Sequence, residues 1–222
     1  MTATRTAWLA SRRQVSLQSP QIAFMPLSPP SPRRALKHTR TIRVEGFARE
    51  DGLWDIDAQI TDIKTMDVPI ASGVRPANMP LHDLRLRLTV DTGLTIVAVD
   101  VASDAVPYPG QCDTIGPAYQ QLVGLNLMHR FRADVKARVG GIAGCTHLTE
   151  MAQILPTAAM QALAGVVFGE RGGAQGTSSE KPIQLDGCHA LRSDGEAVAR
   201  FYPRWRVVDA NVHADAVTSE SR

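Results

Sequence analysis

Cysteine is scarce in this chain, with three among 222 residues. So small an odd number builds no disulfide framework, and it suits a reducing compartment, so a cytoplasmic location is expected. Charge of one sign is also missing. The 24 Lys and Arg against 22 Asp and Glu leave a net charge of +2, and the pI near 8.6 is too mild to argue for a nucleic-acid partner. No apolar run approaches the roughly 18–20 residues of a membrane span, so no membrane partner is expected. Several signatures are absent as well. There is no G-x-x-x-x-G-K-[ST], no G-x-G-x-x-G after a strand, no G-x-S-x-G and no H-E-x-x-H. These absences weigh against an NTPase, a Rossmann dehydrogenase, a serine hydrolase elbow and a zincin protease, and no nucleotide cofactor is expected. What remains is an ordinary globular composition, 44% hydrophobic and 21% charged. It suffices for one sizeable core and is short for two full domains.

Along the chain, residues 1–36 stand apart. The first 24 carry Arg5, Arg12 and Arg13 with several Ser and Thr and no acid, and lack a secretory apolar stretch. They read as a disordered or mis-annotated extension, with Met25 as the natural start. Residues 26–34 (PLSPPSPRR) hold four prolines and read as an extended linker. A single domain is expected over residues 37–208, with a frayed tail at 209–222. Within it, TRTIRVE (39–45) and LWDIDAQIT (53–61) alternate and are joined through Asp51-Gly52, a first hairpin. Residues 62–80 read as a loop. LRLRLTV (84–90) is the cleanest strand, turning at Asp91-Thr92-Gly93 into LTIVAVDV (94–101). Helices are expected at Ile115 to about Leu127, over a short Phe131–Val139, and over Thr146–Gly165, where Pro156 should kink or divide the helix. Residues 169–179 read as a flexible linker. The fold class is therefore α+β: an antiparallel sheet of two hairpins with two or three helices on one face.

The chemistry gathers around the cysteines. Cys112 and Cys145 each precede a predicted helix. Unsatisfied N–H groups and the helix dipole there favour thiolate, the form that attacks and that binds metal. Cys145 also follows a Gly-rich approach and has His147 two residues on; Cys188 is followed by His189. The bland alternative for each is a small buried hydrophobe. His82 and Asp83 stand at the entry to the cleanest strand, where a histidine can ligate, act as base or be solvated. Arg85 and Arg87 lie on that strand's polar face and could hold an anionic group. Asp55, Asp57, Asp62 and Lys64 cluster on and after the second strand, as acid–base candidates or as an ordinary polar face.

The stretches FAREDGLWDIDAQITDIKT, PLHDLRLRLTV, VPYPGQC, GGIAGCTHLTEM and DGCHALRSDGEAVARFYPRW resemble a bacterial family known as a domain of unknown function. The resemblance covers roughly residues 37–208. It implies a weak association with aromatic or acyl-CoA catabolism. Residues 80–165 are also similar in order to the iron–sulfur cluster scaffold fold, with His82, Cys112 and Cys145 in the order of its ligands and His147 beside the last. The departures are a His in place of the first Cys, Cys112-Asp113-Thr114 after the second, and Cys-Thr-His in place of His-Cys. They favour a mononuclear zinc or iron site of His82, Cys112, Cys145 and His147, with Cys188 and His189 as possible additions. Asp83 would orient His82, and Arg85 or Arg87 would hold a small-molecule substrate. The expected function is a metal-dependent lyase or hydrolase acting on a small aromatic or acyl compound. The alternative is a non-enzymatic metal or iron–sulfur carrier.

Overall fold

The computed structural model describes residues 27–167 and 181–208. The expectations for residues 1–24, for the 169–179 linker and for the 209–222 tail lie outside them. The chain separates into two units, Met1–Ala35 and Leu36–Arg222. Of the first, residues 27–35 are described and carry neither helix nor strand. Everything below concerns the second.

Four antiparallel strands form the main sheet in the order β1 (His38–Ala48), β2 (Trp54–Lys64), β5 (Pro80–Val90), β6 (Ile96–Ala105). Each is built on alternation. On β2, Trp54, Ile56, Ala58 and Ile60 are buried; on β5, Leu84, Leu86, Leu88 and Val90 are. One face is therefore apolar and the other charged, as expected of a sheet covered on one side. The tight turns fall where the sequence places them, with Gly52 at φ 84° between the first two strands and Leu94 at φ 64° after Asp91-Thr92-Gly93. The expected 62–80 loop is different. Strand β2 continues to Lys64, and the connection from β2 to β5 forms a small separate hairpin, β3 (Val68–Ile70) with β4 (Gly73–Arg75).

Three helices follow: α1 (Phe131–Val139), α2 (Thr146–Leu163) and α3 (Glu196–Phe201). Helix α2 packs on β1, β2 and β5 through a stripe of Leu148, Met151, Ala152, Leu155, Ala159 and Leu163, all fully buried. Each large apolar side chain in such a stripe contributes about 1.5–3 kcal/mol. That packing is enough to carry Pro156 inside the helix, which runs on as one element rather than dividing in two. The helix expected over Ile115–Leu127 is instead a 3-10 segment, Gly116–Leu122. Its continuation is needed elsewhere. Gly124 turns at φ 84°, and Leu125 to Leu127 hydrogen-bond back to Leu94 and Ile96 at the start of β6.

Candidate metal centre

Three strands place a row of polar residues at one end of the buried face. Arg40 on β1 pairs across with Asp62 on β2, and Asp62 pairs across with His82 on β5. Asp62 has the same parity as Trp54, Ile56, Ala58 and Ile60, so its carboxylate points to the apolar side; it is only 3% exposed. A carboxylate there must be compensated. Its Oδ1 receives Arg40 Nε at 2.9 Å and His38 Nε2 at 2.7 Å. Its Oδ2 receives Arg40 Nη2 at 2.9 Å and His82 Nδ1 at 3.0 Å. Burial works to raise the pKa of Asp62, but the Arg40 guanidinium and His38 outweigh it and hold the carboxyl well below the usual carboxylate range. Arg40 is itself steadied by Glu150 on α2, Nη1 to Oε2 at 2.9 Å.

Helix α2 brings the remaining members over this row. Tyr119, fully buried, fastens its first turn. The phenol oxygen accepts the Cys145 N–H at 3.0 Å and lies within donating distance of Cys145 O and Thr149 Oγ1, at 2.9 and 2.8 Å. Thr149 in turn donates to Val139 O. So held, His147 stacks beside His82, ring centroids 3.9 Å apart. Its Nε2 is 3.8 Å from Asp62 Oδ2, and its Nδ1 is 3.9 Å from Cys145 Sγ. Burial opposes ionisation of the Cys145 thiol, yet His147 and the backbone N–H groups of the helix start shift it net downward. Burial and the neighbouring His147 push His82 down, against the pull of Asp62, which favours the neutral imidazole. A neutral His82 donating through Nδ1 carries its lone pair on Nε2.

One donor atom each from Asp62, His82 and His147 lie within 4.8 Å of one another, a group that could hold a metal ion. The Asp62 Oδ2 separations of 3.0 and 3.8 Å from the imidazoles bracket the roughly 3.3 Å between ligands expected for bonds near 2.0–2.1 Å around a tetrahedral ion. An ion held by Asp62, His82 and His147 would take the place of the proton between Asp62 and His82. Arg40 and His38 keep their hold on the other lone pairs, as outer partners of a ligating carboxylate do.

Beside the histidines opens a cavity of about 450 Å³. All four ligands expected from the sequence line it: His82, Cys112, Cys145 and His147. The acid at their centre, Asp62, was expected only among a loose group with Asp55, Asp57 and Lys64. Its signal was parity: an acid in phase with four apolar residues of one strand. The alternation of β5 places Asp83, Arg85 and Arg87 on the opposite, charged face. Asp83 accepts from Gln59 at 2.7 Å, so the carboxylate that orients His82 is Asp62 rather than Asp83. Arg85 pairs with Asp104 at 3.0 Å and Arg87 doubly with Asp57 at 2.6 Å. Both arginines line a separate shallow cavity of about 270 Å³ and do not face the metal group. Cys188 and His189 are exposed and are not among the residues lining the 450 Å³ cavity.

The fold and the site thus define an α+β protein carrying a buried His/Asp group that could hold a metal. Residues 38–161 match the model of the family described as Protein of unknown function (DUF2889), and the chain belongs to that family. No curated protein and no solved structure matches it. No described helix is long and apolar enough to cross a membrane.

Proposed function

We propose that this chain is a metal-dependent enzyme, a lyase or hydrolase acting on a small aromatic or acyl compound. The observation that carries the reading is convergence: Asp62, His82 and His147, from three elements, come together, and two of them, His82 and His147, line a largely apolar cavity. Three protein ligands would leave coordination positions for water or substrate, where an ion would polarise an oxygen or lower the pKa of bound water. Nearby thiols and two imidazoles suit zinc or iron. The burial of the group supports an enzyme over a carrier, which needs ligands exposed for transfer: side-chain exposure is 4% at Asp62, 14% at His82 and 22% at His147. The three free thiols support a cytoplasmic setting.

The test is elemental analysis of the chain purified without added metal, aerobically and anaerobically, beside a His82→Ala, His147→Ala double variant. About one equivalent of zinc or iron, lost in the double variant, is the expected result. Two metal-free preparations overturn the reading.

A second reading rests on the two faces of His147. Its Nδ1 meets the Cys145 thiol and its Nε2 meets Asp62, the order of a nucleophile, base and orienting acid. On that reading the chain is a thiol acyl-transfer enzyme that needs no ion. Hydrolysis of a small aryl thioester that survives chelation and vanishes in Cys145→Ser would select it. Activity lost to chelator and restored by zinc would select the metal.

A further inference from the structure

The walls of the 450 Å³ cavity restrict what can bind beside the metal group. The apolar lining is Val106, Pro107, Tyr108 and Ile115, together with Leu84 and Leu148, which are themselves only 2% and 0% exposed. His82, His147, Gln111, Cys112, Cys145 and Thr146 supply the polar atoms. None of the described lining residues is Asp, Glu, Lys or Arg. The charged side chains bonded around Asp62 are spent on one another: Arg40 on Asp62 and Glu150, with Asp62 also on His38 and His82. Arg75 reaches only the carbonyl of Val106, through Nη2 at 3.2 Å.

A ligand in this cavity therefore meets no side-chain cation. An anionic group on it finds a counter-charge only at the bound ion. A second anionic group would lie against valine, proline and isoleucine with no partner, which disfavours it. The volume is at the small end of the range for ligand sites, about 300–1,000 Å³. It holds a ring or a short branched chain.

From this we infer that the substrate is a small apolar monocarboxylate, bound with its carboxylate on the ion and its aromatic or branched body against Pro107, Tyr108 and Ile115. The inference rests on the metal reading above. It excludes compounds whose phosphate would have to enter the cavity, since the described lining offers it no base. It also differs from the sequence expectation that Arg85 or Arg87 holds the anion, since both lie across the sheet.

The experiment is calorimetric titration of the zinc-loaded full chain with benzoate, phenylacetate, acetate and inorganic phosphate. Metal content is measured on each sample. Benzoate or phenylacetate should bind at least about tenfold more tightly than acetate, because a buried ring adds apolar area that a methyl lacks. Phosphate should bind no better than acetate. The chelated protein should bind none. Ile115→Trp, which fills the cavity, should weaken benzoate at least about tenfold with zinc content unchanged. Tyr108→Ala, an exposed position, is the second variant and should weaken it about threefold.

Zinc retained with phosphate preferred, or with aromatic acids no tighter than acetate, overturns the substrate class and leaves the metal reading standing. Benzoate binding that is indifferent to chelation, or to both variants, also overturns it. A chain that takes up no zinc overturns both.

Discussion

Asp62 shows how one residue sets the chemistry of its neighbourhood. It is an acid on the apolar face of a strand, and the fold satisfies it with one guanidinium and two imidazoles. Breaking such a buried pair from one side typically costs about 3–5 kcal/mol, because the other charge stays buried and alone. Arg40→Met should fall at the lower end of that range in urea unfolding, since His38 and His82 remain as donors. Arg40→Lys should lose less than Met but should not restore the wild type, because lysine cannot give two parallel bonds to one carboxylate. The pH dependence has a fixed sign. Asp62 titrates lower in the fold than in the unfolded chain, so its contribution is whole above about pH 4–5 and is lost as pH falls further. His82 is also lowered, so folding expels its proton and stability begins to fall below about pH 6.5. Unfolding measured from pH 3 to 7 should show both losses on acidification. In Arg40→Met, which lacks the main attraction holding Asp62 ionised, the lower one should be shallower. An acid limb as steep as in the wild type would contradict this account.

At the scale of elements, the site depends on how closely α2 lies on the sheet. Gly46 on β1 faces Ala162 near the end of α2, and a Cβ built on Gly46 would overlap the Ala162 methyl. Overpacking of this kind costs about 1–3 kcal/mol. Gly46→Ala should lower stability by that amount, and adding Ala162→Gly should recover most of the loss beyond the glycine's own helix cost of about 1 kcal/mol. A double variant that loses the sum of what Gly46→Ala and Ala162→Gly each lose alone would show that β1 and α2 do not approach here. The strands and α2 were legible in the sequence because alternation and the 3.6-residue stripe are local signals. The 3-10 segment Gly116–Leu122 was not, because its form follows from Leu125–Leu127 bonding back to the head of β6, a tertiary demand. The site was legible in part. His82, Cys112, Cys145 and His147 stood out by type and by junction, and one cavity gathers them. Asp62 was hidden because its acid neighbours in sequence belong to the other face, while its partners, Arg40 and His82, lie 22 and 20 residues away. Asp83, Arg85 and Arg87 were misleading for the same reason: adjacency to His82 in sequence means the opposite side of a strand.

For the whole molecule, one hydrophobic cluster runs from Trp54 to Leu163 and contains the site at one end. Residues 181–208 are organised differently. Leu185 and Val198 are buried there but do not belong to that cluster, and α3 packs chiefly on the short turns His189–Leu191 and Pro203–Trp205. Asp186 ties the segment locally, accepting from the Ser193 N–H and hydroxyl at 2.7 Å and from Lys181. Such a segment contributes little to the free energy of the main core, since the apolar area it buries is its own. A chain ending after Val167 should therefore still unfold in one cooperative transition, with a midpoint within a few degrees of the full chain. It should also retain any zinc that the full chain takes up, because Asp62, His82 and His147 and every described residue of the cavity wall precede the cut. Thermal unfolding with parallel metal analysis decides it. A truncated chain that has lost cooperativity would tie 181–208 to the core. One that folds but releases zinc would assign Cys188 or His189 a part in holding the ion, the role the sequence left open for them.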